Sequence, residues 1–231
     1  MRVTTAPKKR LTKHDLKEDR FVTVALEAWD YMVLHKSTVL FVVLGIVAIV
    51  SVALLYQQSA RGRATRADEI LLLAMSDYDA GNFEAAANGI SQFLERTPRH
   101  PKRAIAGLAL GNALLAVGRP GDAKKPFEDV LKSASKGSEE WVASTVGLGY
   151  VAESQGNLEA AYAAFDEAAR AARSKELAVE ATAHAIRAKI LLKDLDGAGA
   201  LLKAAQEEYA GLRGARRLSQ LEGELVVARG R

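Results

Sequence analysis

Residues 148–168 read "LGYVAESQGNLEAAYAAFDEA". The stretch has the form of two helices joined by a short turn. Apolar residues recur at helical spacing on both sides of Gly156-Asn157, and no β-type alternation competes with them. A glycine directly after a helix lets the chain turn through positive φ without a Cβ penalty. Gly149 before the turn and Ala161 after it are small, so two helix backbones can approach there. Phe165, one turn beyond Ala161, is large enough to fill the groove beside that contact.

The same arrangement recurs along the chain. "AGNFEAAANGI" (80–90), "VGRPGDAKKPF" (117–127) and "LKDLDGAGALL" (192–202) align with it on Gly81, Gly118, Gly156 and Lys193, at spacings of 37, 38 and 37 residues. Five residues beyond each anchor stands Ala86, Ala123, Ala161 or Ala198, and four further on Ile90, Phe127, Phe165 or Leu202. Seven residues before the anchors stand Ala74, Gly111 and Gly149. A helix pair of this kind cannot bury its apolar face alone, and stacking with its neighbours completes the core. The expected fold class is therefore all-α: about four helix pairs over residues 64–206, followed by a C-terminal helix. The fourth unit is expected to be the weakest, because Lys193-Asp194-Leu195 replaces the glycine-led turn.

The pattern resembles the tetratricopeptide repeat, whose first helix carries small-x2-aromatic and whose turn reads Gly-Asp/Asn-aromatic. "LGYVAESQGNLEAAYAAFDEA" is the best match and "GLALGNALLAVGRPGDAKKPFEDVL" (107–131) a good one, with Pro120-Gly121 in place of the usual turn. The inter-unit proline survives only as Pro98, and the period exceeds the usual 34. The resemblance implies a protein-binding solenoid whose inner face is lined by the first helix of each pair. Counting from the anchors, it puts Leu71, Met75 and Tyr78 on that face from the first unit and Leu108, Asn112 and Leu115 from the second. Val146, Tyr150 and Glu153 follow from the third unit and Ala183, Arg187 and Ile190 from the fourth. An apolar and aromatic lining suits unfolded or apolar polypeptide; the competing expectation is that several of these residues are inter-unit core or lie under the C-terminal helix. The carboxylate clamp of chaperone-tail-binding repeats is not expected, because only Asn112 and Arg187 are suitable polar candidates.

A second stretch, "KSTVLFVVLGIVAIVSVALLYQQ" (36–58), sets the solvent for the rest. Ser37 to Tyr56 are 20 residues without a charge, and a helix of that length covers roughly 30 Å, a bilayer's hydrocarbon core. Val39–Leu55 contains thirteen Val, Leu, Ile or Phe residues, which on an insertion scale sum to about −4 to −8 kcal/mol. The run is too long and begins too far from the N-terminus for a cleavable signal, and Gln58 stands where a small residue would be needed for cleavage after Ala60. An uncleaved signal anchor is expected over residues 37–56. Eight Lys/Arg precede the run and three follow it before residue 80, so the positive-inside bias keeps the N-terminus cytoplasmic and places residues 57–231 in the periplasm. The preceding "RLTKHDLKEDRFVTVALEAWDYMVLHK" (10–36) reads as a basic, amphipathic helix capped by Thr12, either docking a partner or lying solvated near anionic lipid.

Composition narrows the function further. Of the net charge of +4, +3 belongs to the first 56 residues and +1 to the rest, so the large domain lacks the footprint of a nucleic-acid binder. There is no cysteine, which excludes disulfides and thiolate chemistry. His14, His35, His100 and His184 show no ligand spacing, and the glycines of 147–156 follow no strand, so neither a metal centre, a triad nor a dinucleotide loop is expected. No catalytic residue and no cofactor are expected.

The whole layout, carried by "EAWDYMVLHKSTVLFVVLGIVAIVSVALLYQQSARGRATRA" (27–67) and the repeats behind it, resembles the YfgM-type family. That resemblance implies company with the Sec translocon and a membrane-anchored periplasmic chaperone. Two functions are thus in view for an inner-membrane, single-pass chain: a non-enzymatic adaptor or chaperone holding client or partner protein, and a structural subunit of another envelope or energy-transducing complex.

Overall fold

The computed structural model describes Leu26, Trp29 and residues 33–230; the side chains of 39, 42, 43 and 58–64 fall outside the description, as does nearly all of the 10–36 segment. Described residues of that segment, Leu26, Trp29, Val33 and Leu34, are helical and exposed. The helices are α1 (Lys36–Asp79), α2 (Phe83–Arg96), α3 (Arg103–Ala116), α4 (Pro120–Ser133), α5 (Glu139–Ser154), α6 (Leu158–Ala171), α7 (Lys175–Leu191), α8 (Leu195–Glu208) and α9 (Ala215–Arg229). No strand occurs among the described residues. The chain divides into two compact units, Met1–Arg63 and Ala64–Arg231.

In the first unit the described side chains from Leu44 to Gln57 are all exposed, Ile49 and Tyr56 each at 71%. Among the described residues no helix is long and apolar enough to cross a membrane. Val39, Val42 and Val43, inside the apolar run, lie outside that set, so the expected span rests on the sequence.

The second unit is a stack of helix pairs: the end of α1 with α2, α3 with α4, α5 with α6, and α7 with α8. Their turns are alike. Gly81, Gly118, Gly156 and Lys193 have φ of 81°, 76°, 78° and 64°. In each, the residue after the anchor donates its N–H five residues back (Asn82 to Asp77, Arg119 to Leu114, Asn157 to Ala152, Asp194 to Lys189), and the anchor itself donates three residues back. This double closure caps the open carbonyls at a helix end. The fourth turn, expected to be the weakest, therefore has the geometry of the others, with a lysine held in the left-handed region. Asn157 and Asp194 then start the next helix by accepting from the Ala160 and Gly197 N–H groups.

The small and large positions interlock as the spacing predicts. Ala86, Ala123, Ala161 and Ala198 have no exposed surface, nor do Ile90, Phe127 and Phe165. A Cβ placed on Gly111 would lie 2.5 Å from the Phe127 ring, and one on Gly149 would collide with Phe165. The Phe127 ring is also pressed from the next unit, where a Cβ on Gly147 would again come within 2.5 Å. The first helices of successive units approach each other, α3 with α5 and α5 with α7; no such approach is found between the second helices of neighbouring units among the described residues. The first helices thus form the closed side of the curve. At its C-terminal end α9 packs on α7 and α8, burying Leu218, Leu221 and Leu225.

Candidate functional site: the inner face of the repeats

The inner face is built from positions three, six and ten residues before each anchor, and the structure divides them into three kinds. Leu71 is only 6% exposed and belongs to the core with Ala67, Ala74 and Ala86. The expectation that it lines a groove is corrected: its side chain is buried in that apolar core. Ala183 and Ile190 are corrected likewise, since they share one buried apolar cluster with Leu218, Leu221 and Leu225 of α9. The C-terminal helix therefore covers part of the fourth unit.

Met75, Tyr78, Leu108 and Leu115 are half-buried against the first core cluster, and Val146 and Tyr150 against the Phe165 cluster. Tyr78 meets Phe83 edge to face at 5.4 Å, and Tyr150 meets Phe165 in the same way at 5.4 Å. Both rings are partly buried, so each rests on core and keeps part of its surface exposed. Asn112 is exposed.

The polar members come together at the boundary of the third and fourth units. Arg187 Nη2 donates to Glu153 Oε1 and Oε2 at 2.8 and 2.7 Å, and its guanidinium lies 5.9 Å over the Tyr150 ring. Arg187 Nε is buried without an acceptor among the described residues. The Tyr150 hydroxyl lies 2.9 Å from His184 Nδ1, and the imidazole leans on Phe165 at 5.4 Å. Burial, with the Arg217 and Arg187 guanidiniums adding to it, pushes His184 down to about 4, so it is neutral near pH 7. Burial pushes the Tyr150 phenol up, with Arg187 and Arg217 acting against it.

Counting from the repeat anchors missed His184, which stands nine residues before Lys193, where the third unit has Gly147. Gly147 faces Phe127 and His184 faces Phe165, so one register position meets the large residue of the preceding unit in both cases. Counting also missed Arg213, Arg216 and Arg217. The available signal was "GLRGARR" (211–217), a basic start to a helix whose first turn has no acidic residue. Among the described residues no His, Cys, Asp or Glu group gathers as a metal site.

Residues 108–176 match the tetratricopeptide repeat family model. A tetratricopeptide repeat protein from Parabacteroides merdae ATCC 43184 superposes with a TM-score of 0.55 at 16% identity, over 71% of this chain. The chain spans 60% of that protein's length. Nearly identical TPR-like repeats of a kinesin light chain from Podosopora anserina superpose with a TM-score of 0.56 at 19% identity, over 71% of this chain and 90% of theirs. A single-residue variant of those repeats gives the same values. No curated protein matches the chain. The fold is an all-helical tetratricopeptide-like solenoid. Such a fold is typically a non-catalytic module for protein–protein interaction, and no enzyme family is indicated.

Proposed function

We propose that this chain is a membrane-tethered adaptor or chaperone whose repeats hold other polypeptides on the periplasmic side of the inner membrane, beside the Sec translocon as the YfgM-type layout implies. The observation that carries the binding role is the inner face itself: Tyr78, Leu108, Leu115 and Tyr150 keep apolar surface exposed around the open Asn112. Apolar and aromatic surface of this kind, rimmed by polar groups, marks protein-binding faces. The tether is supported by the run from Leu44 to Gln57, whose described side chains are exposed all round. Lipid is the solvent that suits such a helix. A tether raises the effective concentration of the repeats near membrane partners.

The test is photo-crosslinking in the cell. A photoreactive residue at Asn112 should capture translocon subunits and varied clients, whereas one at Lys132, on the exposed surface of α4, should not. One stoichiometric complex captured from Asn112 would assign the chain instead to a structural subunit. Equal, sparse capture from both positions removes the binding role. A reporter active only in the periplasm, fused after Arg231, should be active; activity of a cytoplasmic reporter at that site would reverse the topology.

A further inference from the structure

Where Arg187 of the inner face meets the C-terminal helix lies a recess that counting from the repeat anchors did not find. It is an open pocket of about 480 Å³ between α7 and the start of α9, within the size range of ligand sites. Its walls include Arg187, Arg213, Arg216 and Arg217 against two carboxylates, Glu180 and Glu224. Four guanidiniums facing two carboxylates leave the pocket positive. The pairing is also incomplete. Arg187 is engaged by Glu153, and Arg217 reaches Glu180 only at 3.5 Å. Arg213 and Arg216 are exposed, and among the described residues no side-chain ion pair or hydrogen bond engages them. Guanidinium forks match carboxylates in geometry and charge, and Arg187 with Glu153 already shows a carboxylate of one unit held by an arginine of the next.

The geometry points to this pocket as the docking site for an acidic peptide segment, a stretch of a partner protein with two or more closely spaced Asp or Glu side chains. One carboxylate would take the free guanidiniums of Arg213 and Arg216. Another would draw Arg217 away from its long contact with Glu180. The recess takes projecting side chains better than it takes a flat, phosphate-dense surface. This assignment rests on the reading of the repeats as a polypeptide-binding module, and it gives the fourth unit a different ligand chemistry from the apolar inner face of units one to three.

The experiment is fluorescence anisotropy on the full chain in a neutral detergent, with a short fluorescein-labelled peptide centred on Asp-Glu-Asp-Glu and an Asn-Gln-Asn-Gln counterpart. The acidic peptide should bind, more weakly as salt rises, and the amide peptide should not. Arg213→Glu with Arg216→Glu should weaken binding at least about tenfold with an unchanged helical melt, because neither side chain has a partner to lose. Arg213→Lys with Arg216→Lys should retain part of the affinity. Equal binding of both peptides, no binding of the acidic one, or indifference to the charge reversal overturns the assignment. So does charge-reversal-sensitive binding to phosphatidylglycerol vesicles without peptide binding. If Asn112 still crosslinks clients after such a result, only the acidic pocket is lost; if it does not, the polypeptide-binding reading is lost with it.

Discussion

Tyr150 and His184, 34 residues apart in sequence, join the third and fourth units through a 2.9 Å contact between the phenol oxygen and Nδ1, with their rings edge to face at 5.1 Å. A neutral imidazole can serve either as donor or as acceptor there. A protonated one must donate, in a site that burial and two nearby guanidiniums already make hostile to positive charge.

The first prediction follows from the sign of that shift. His184 titrates at about 4 in the folded chain and near 6.5 when unfolded. The unfolded state therefore binds the proton first on acidification. Stability should be unaffected above about pH 6.5 and fall between there and about pH 4, by about 3 kcal/mol in total from this group. His184→Gln should flatten that part of the stability curve in denaturant titrations across pH. A curve of unchanged slope would mean the imidazole is not buried neutral.

Phe165 and Gly149 should behave as one unit. Phe165→Ala should cost about 3–5 kcal/mol, since the ring has no exposed surface. Gly149→Ala should cost about 1–3 kcal/mol, because its new methyl collides with that ring. Combined with Phe165→Leu, the glycine substitution should cost less than it does alone, and a double-mutant cycle measures the difference. Strict additivity would place the two residues out of contact.

Lys193 holds φ of 64° at a turn where three other units use glycine. Lys193→Gly should raise stability by about 0.5–1 kcal/mol by relieving the left-handed strain, net of the glycine's added chain entropy. The reciprocal Gly156→Lys should lower it by a similar amount. Equal melting of wild type and Lys193→Gly would show that the lysine side chain compensates for its backbone.

Ser144, in the middle of α5, has no exposed surface, and its hydroxyl finds no partner among the described residues. Ser144→Ala removes the desolvated hydroxyl at little change in volume and should stabilise the chain by about 1 kcal/mol. A loss of stability on thermal unfolding would show that the hydroxyl is bonded in solution.

The helix pairs were legible in sequence because their turns impose residue types. Only a small residue fits Gly149 beside Phe165, and Gly81, Gly118 and Gly156 sit where φ is positive. Lys193 obscured the fourth turn because backbone hydrogen bonds, from Lys193 to Ile190 and from Asp194 to Lys189, hold it without glycine. The inner face was legible as a register but not as a surface. Leu71 and Met75 are one helical turn apart, yet the first is buried in the core and the second is half-exposed. Ala183 and Ile190 were unreadable for a different reason. Their cover, α9, follows the last repeat, where no period relates its leucines and arginines to positions on α7.

Contact along the stack is uneven. Helix α3 touches α5 and α5 touches α7, while the backbones of α2 and α4, and of α6 and α8, stay apart over open recesses of about 330 and 460 Å³. A stack joined along one edge is compliant along the other. Small rotations about the α3–α5 and α5–α7 seams can widen or narrow these recesses while the Phe127 and Phe165 contacts remain in place. The repeat domain should therefore yield like a leaf spring, and its inner curvature should adjust to the girth of whatever lies against it.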